Sequence, residues 1–133
     1  MSEYHFTRSR SAPKNEKFFR ITAANFPALK GLAIQDLDMS PGERREPHFH
    51  PNAAQLDFCI SGTGRVGIIG PDQVHHALDL GPGDAAFIPQ GYVHWIENTA
   101  QSKSRFLLVA THEMPETIDV VGMYAGIPAE IKK

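Results

Sequence analysis

The chain has 133 residues, a length typical of a single domain that can bury a core without disulfide bonds. Its formal charge is −2 and its few N-terminal basic residues form only a loose group, which excludes the clustered positive surface that nucleic acids and anionic membranes require. A single cysteine, Cys59, excludes an internal disulfide, and no apolar stretch is long enough to cross a bilayer. With no signal-peptide pattern at the N-terminus, we expect a cytoplasmic protein that binds neither nucleic acid nor membrane.

The N-terminal segment is polar, and its few apolar residues follow no period. We predict an N-terminal arm over residues 1–18 that orders by packing on a partner subunit. Residues 19–133 are predicted to form a single domain, with a barrel core over residues 31–111.

Short β-type runs recur between Gly31 and Thr111, separated by turns rich in glycine and proline. Eight such runs with tight turns are typical of an all-β double-sheet roll. The predicted strands are Leu32–Met39, Arg45–His50, Gln55–Ser61, Gly64–Ile69, His75–Leu80, Ala85–Ile88, His94–Asn98 and Arg105–Thr111. The spacing of apolar residues after Pro115 predicts one short C-terminal helix over Glu116–Tyr124.

Two histidines lie two residues apart in the second predicted strand. Side chains alternate along a strand, so His48 and His50 point to the same face and can reach one metal ion. His94 follows the rigid turn Pro89–Gly91, which can fix its direction. An isolated pair of histidines at this spacing more often lies on a polar surface or is hydrogen-bonded within the core. The interpretation therefore depends on the residues before and after the pair.

That pattern consists of two long, ordered motifs. The first contains Gly42, His48, His50, Gln55 and Gly62, and the second contains Gly83, Pro89, Gly91, His94 and Asn98. At these spacings they resemble the two motifs of the cupin superfamily. The runs Phe26–Ala33, Arg45–Ala53 and Gly81–Asp84 make the chain similar to one domain of the oxalate decarboxylase-like cupins, from about Phe19 to Val109.

The resemblance implies an all-β cupin double-stranded β-helix, or jelly-roll barrel, that forms a homodimer and binds one divalent transition metal (Ni, Fe, Zn, Cu, Co or Mn). It implies that His48, His50 and His94 are metal ligands. The family's fourth ligand is a glutamate, and Gln55 stands at the matching position. A neutral amide in that position should weaken Mn²⁺ relative to Ni²⁺, Cu²⁺, Fe²⁺ or Zn²⁺. Alternatively, Gln55 bonds to backbone or faces solvent.

Three further residues are candidates for roles beside the metal. By the resemblance, Arg45 matches the arginine that holds a small carboxylate, and its planar fork suits that task; an exposed strand edge is the alternative. Asp57 shares the face of Gln55 and is a candidate for bonding to a metal ligand. The simpler alternative is an ordinary strand-end aspartate with no role at the metal. The family's proton-transferring lid glutamate has no clean match here, and Glu113 is the candidate acid or base.

The sequence favours a metal-dependent enzyme, a lyase or oxidoreductase, that decarboxylates or oxygenates a small carboxylate or enolate. Oxalate decarboxylation itself is not expected, because the lid glutamate lacks a match. The alternative is a non-catalytic module that binds a metal or a small ligand. Sugar-phosphate chemistry is disfavoured, because no basic cluster surrounds the predicted pocket. The expected partner is therefore a small anionic substrate or ligand.

Overall fold

The structure, a computed structural model, describes residues 2–8 and 18–133. Ten strands and one helix lie in that part of the chain. They are β1 (Phe18–Ile21), β2 (Ala33–Met39), β3 (Arg44–Phe49), β4 (Gln55–Ser61), β5 (Gly64–Ile69), β6 (His75–Leu80), β7 (Ala85–Ile88), β8 (Val93–Glu97), β9 (Ser104–Ala110), β10 (Ile118–Asp119) and α1 (Val120–Gly126).

The strands form two five-stranded antiparallel sheets. The first has the order β1-β2-β9-β4-β7, and the second has the order β10-β3-β8-β5-β6. The edge strands β6 and β7 contact each other and join the two sheets on one side. The edge strands β1 and β10 therefore lie on the opposite side of the roll. The predicted all-β jelly roll with a short C-terminal helix is confirmed.

The core lies between the two sheets, because alternate residues of each strand face inward. On β2 and β4, buried positions alternate with more exposed ones along most of the strand. The centre of the core contains Leu37, Val66, Ile96 and Phe106. This packing fixes the register of every strand, and thereby the direction of the polar side chains that share the inner face.

The structure differs from the sequence prediction at both ends of the chain. The strand β1 was not predicted; it pairs with β2, and Phe18 packs against the core. The predicted arm lies partly in residues 9–17, outside the described part, so the division at residue 18 stays a prediction.

The C-terminal helix begins later than predicted. Ile118 and Asp119 pair with β3 as strand β10, and Asp119 caps the helix by accepting a hydrogen bond from the Gly122 N–H at 2.9 Å. The predicted start at Glu116 is therefore wrong, because the chain there is still extended along the edge of the sheet. None of the described helices is long and apolar enough to cross a membrane.

Candidate metal centre

Three histidines converge at one end of the interior of the roll. His48 lies on β3 and pairs directly with His94 on β8, while His50 follows the end of β3. The ring centroids of His48 and His94 are 4.3 Å apart, and each lies 5.1 Å from the ring centroid of His50. All three side chains are buried, and one ring nitrogen from each lies within 4.8 Å of the others. This group can bind a metal ion.

Backbone carbonyls set the tautomer of each ring. The Nδ1–H groups donate to the carbonyls of Glu46 (2.6 Å, from His48), Glu116 (2.9 Å, from His50) and Tyr92 (3.0 Å, from His94). A carbonyl oxygen only accepts, so Nδ1 carries the proton and Nε2 keeps its lone pair.

The Nε2 atoms of His50 and His94 are buried and have no hydrogen-bond partner. Buried polar atoms without partners are costly, and a metal ion would satisfy both of them. The three histidines therefore fit a divalent metal bound through Nε2.

Burial also keeps these rings neutral. It lowers the pKa of His48 to about 4 and that of His94 to about 3, more than the backbone hydrogen bonds raise them. The pKa of His50 is lowered for the same reason. Because a metal binds the neutral imidazole, the site is ready for binding across the physiological pH range.

Gln55 is the first residue of β4 and faces the interior, where it is buried. Its Nε2 donates a 2.7 Å hydrogen bond to Oδ1 of Asp57. The amide nitrogen is the donor in this contact, which leaves Oε1 as the atom available to a metal. The alternative in which Gln55 faces solvent is wrong; coordination by Oε1 stays a prediction.

Asp57 is fully buried on the same face of β4. Burial raises its pKa to about 7, although the hydrogen bond from Gln55 and the positive charge of Arg45 both act to lower it. Asp57 contacts Gln55, the residue that matches the family's fourth ligand. The carboxyl orients the Gln55 amide.

Arg45 faces the interior from β3, opposite the buried Ile96. A register shift between Arg45 and His48 changes the alternation of side chains there. The guanidinium lies 4.1 Å from the ring centroid of Phe18 on β1. Burial lowers the pKa of Arg45, and the charge of Arg20 adds to this while Asp57 opposes it. The alternative of a fully exposed strand edge is wrong; binding of a substrate carboxylate stays a prediction.

A surface groove beside β3 reaches His48. It is lined by Arg44, Arg45, Glu46, His48, Thr117 and Asp119. The groove gives a small molecule a route to His48 past the guanidinium of Arg45.

The Glu113 side chain bonds to the backbone of another loop. Its Oε2 accepts a hydrogen bond from the Gly31 N–H at 3.0 Å, and its own carbonyl accepts one from Ala23 at 2.9 Å. Backbone N–H groups of Glu113 itself and of Gly31 lower the pKa of this carboxyl. These contacts fasten the loop after β9 to the loop after β1. The acid or base role of Glu113 stays a prediction without support from its contacts.

Three inward-facing residues near the site were not recognised from sequence. Phe18 and Arg20 lie on β1, and Gln35, which pairs with Arg20, is buried on β2. The only available signal was the alternation in the short run Phe18–Ile21, which is too brief to identify a strand.

Comparison with known proteins identifies the relatives of this chain. The Cupin family model matches residues 5–131. Germin-like protein subfamily T member 3 of Arabidopsis thaliana is 28% identical over 127 residues, which cover 90% of this chain and 56% of the relative. A probable oxalate decarboxylase of Arthroderma benhamiae is 31% identical over 88 residues, which cover 66% of this chain and 22% of the relative.

A solved structure shows the same fold. Oxalate decarboxylase of Bacillus subtilis, a protein with Mn(II) centres, superposes with a TM-score of 0.79 at 24% identity, over 86% of this chain and 30% of that one. The chain thus spans about half the length of the germin-like relative and less than a third of the bacterial decarboxylase.

Proposed function

Because this chain belongs to the cupin family, we propose that it is a metal-dependent enzyme that acts on a small carboxylate or enolate, by decarboxylation or oxygen-dependent cleavage. The observation that carries this proposal is the pair of buried, unpartnered Nε2 atoms of His50 and His94 within reach of His48. Next to them stands Arg45, a half-buried cation that faces the same interior.

His48, His50 and His94 would hold the metal through Nε2, and the oxygen of Gln55 would supply a neutral fourth contact. A divalent metal bound there would polarise the oxygens of the substrate as a Lewis acid. Gln55 brings no charge, so we expect the site to favour Ni²⁺, Cu²⁺, Fe²⁺ or Zn²⁺ over Mn²⁺.

The protein's own groups position the substrate. The Arg45 fork donates two parallel hydrogen bonds to one carboxylate, and its stacking on Phe18 limits the directions that the fork can take. Asp57 holds the Gln55 amide in one orientation, so that Oε1 is directed without reorganisation during the reaction. The apolar residues around this polar row exclude water from the interior and strengthen each of these contacts.

A binding module without catalysis is the second candidate. It is favoured by the contacts of Glu113, whose carboxylate is tied to Gly31 and is held ionised. In that case the metal and a small anion bind, but no group delivers a proton to the product.

Metal content measured by elemental mass spectrometry on untagged protein tests the site. We expect about one metal ion per chain, lost in His50→Ala. His76→Ala is the matched control, because His76 is exposed on β6 and lies outside the site. Retention of the metal in His50→Ala would show that the three-histidine assignment is wrong.

Turnover distinguishes the enzyme from the module. The metal-loaded protein is incubated with a panel of small carboxylates while carbon dioxide release and oxygen consumption are followed. An enzyme produces one of these signals and loses it in Arg45→Gln. Binding of the same carboxylates with neither signal identifies the module.

We further propose that the chain works as a homodimer in the cytoplasm, where Cys59 stays reduced. The outer face of the β4–β7 pair exposes Leu56, Phe58, Ile60 and Phe87, with no charged side chain among these four. A second copy of the same face would cover this apolar patch. Light scattering of Phe87→Glu, compared with wild type, tests this: a dimer that is unchanged by the substitution would refute the patch as the interface.

A further inference from the structure

Two arginines from different sheets meet around one phenyl ring. Arg45 belongs to β3 of the second sheet, and Arg20 belongs to β1 of the first. Their guanidinium carbons lie 4.1 Å and 4.5 Å from the ring centroid of Phe18. Both cations therefore stand at the side of the roll where β1 and β10 are the edge strands.

Arg20 faces the same interior as the metal centre. In the β1–β2 pair, Phe18 is opposite Leu37 and Arg20 is opposite Gln35, and both partners on β2 are buried. Residues that pair across strands share a face of the sheet. The inward row that starts at Arg20 continues through Gln35 and Leu108 to Asp57, next to the Gln55 position.

In the part of the chain that the structure describes, the two guanidinium groups have no anionic partner at close range. Four other arginines among the described residues form ion pairs: Arg8 and Arg105 with Asp36, Arg44 with Glu46, and Arg65 with Asp79. Among the described residues, neither Arg20 nor Arg45 has a carboxylate within ion-pair distance. Two like charges close together favour the binding of an anion between or beside them.

The two arginines differ in burial. Arg45 is half-buried beside the centre, whereas Arg20 is more exposed on the edge strand. The groove that reaches His48 is lined by Arg45, and Arg20 contacts the same Phe18 ring as Arg45.

We propose that Arg20 is a specificity-determining residue that binds the second carboxylate of a dicarboxylate. Arg45 and the metal hold the first carboxylate. A ligand that contacts both guanidinium groups at once needs at least one carbon between its carboxylates, as in malonate or succinate. The inference rests on the proposed function, since it names the substrate class of the same site.

Calorimetric titration of the metal-containing protein with malonate and with its monomethyl ester tests the inference. The two ligands are nearly equal in size and differ by one negative charge. We expect the wild type to bind malonate at least about tenfold more tightly, the effect of one added charge-assisted pair. Arg20→Gln should remove this preference and leave the ester's affinity within about twofold of wild type, because only the second carboxylate loses a partner.

Two further variants complete the design. Arg20→Lys keeps the charge without the fork and should retain part of the preference for malonate. Arg65→Gln removes an exposed arginine that is paired with Asp79 and should change neither affinity. Equal binding of the two ligands by wild type, loss of both affinities in Arg20→Gln, or no binding of either ligand would each overturn the inference.

Turnover separates this inference from the proposed function. A malonate preference that depends on Arg20, in a protein that converts no carboxylate of the panel, supports the inference and refutes the enzyme. Turnover of monocarboxylates that is insensitive to Arg20→Gln supports the enzyme and refutes the inference.

Discussion

Replacement of Gln55 by glutamate tests the most informative contact in the centre. In the wild-type protein the Gln55 amide donates a 2.7 Å hydrogen bond to Asp57, and both side chains are buried. Gln55→Glu puts a second carboxyl group in place of the donor. Two charges at that separation would repel by about 6 kcal/mol at an effective dielectric constant of about 20. This repulsion exceeds the free energy needed to keep one of the two carboxyl groups protonated at neutral pH, so the pair shares one proton there.

The cost to folding is then smaller than the full repulsion. One O–H donor replaces the amide donor, and we expect metal-free Gln55→Glu to be destabilised by about 1–3 kcal/mol near neutral pH. The sign of the pH dependence follows from the raised pKa of the pair. Its contribution to stability is fully present below the unfolded values of about 4 and is lost as the pH rises through the folded values. The loss relative to wild type should therefore be larger at pH 8 than at pH 5.

Urea denaturation of metal-free protein at pH 5 and pH 8 measures this difference. Gln55→Met is the matched control, because it removes the amide donor without adding a charge. Addition of Mn²⁺ should raise the free energy of unfolding of Gln55→Glu more than that of wild type, since an anionic oxygen suits Mn²⁺. Equal stability of Gln55→Glu and wild type at pH 8 would refute the buried contact between Gln55 and Asp57.

Three further predictions concern other parts of the molecule. Metal affinity should fall at a pH below the ordinary histidine value, because burial lowers the pKa of all three rings, to about 4 for His48 and about 3 for His94; metal titration at a series of pH values measures this. Gly67→Ala should destabilise the protein by about 1–3 kcal/mol in urea denaturation, because a Cβ would lie 2.2 Å from the Trp95 ring. Asn98→Ala should cost about 3 kcal/mol in the same assay, because its buried side chain bonds three backbone groups.

Each of these has a control and a contrary outcome. Affinity lost near pH 6.5, the ordinary histidine value, would show that the rings are not buried. Gly126→Ala is the control for Gly67, because a Cβ at Gly126 meets nothing within 4 Å; equal effects at the two glycines would contradict the close approach of Trp95. Gln101→Ala, at an exposed position, is the control for Asn98, and a similarly small effect at both positions would contradict the assigned hydrogen bonds.

The sequence predicted the fold through two local signals. Tight turns separated short alternating runs, and the core strands from Ala33 to Ala110 were predicted with boundaries that are identical to the observed ones or differ by one residue. The edge elements were missed for a physical reason. β1 and β10 are too short to show a period of their own, and they exist as strands because β2 and β3 offer them partners.

For the site, spacing and tertiary structure supplied different parts. Strand alternation put His48 and His50 on one face, and the resemblance of the two motifs to those of cupins added His94. Only the tertiary structure assigned the Gln55 amide to Asp57 and tied Glu113 to Gly31, and only it brought Arg20 to Arg45 across two sheets. These contacts join residues whose sequence separation carries no information about distance, because the register of the sheets and the burial of each group decide which partners meet.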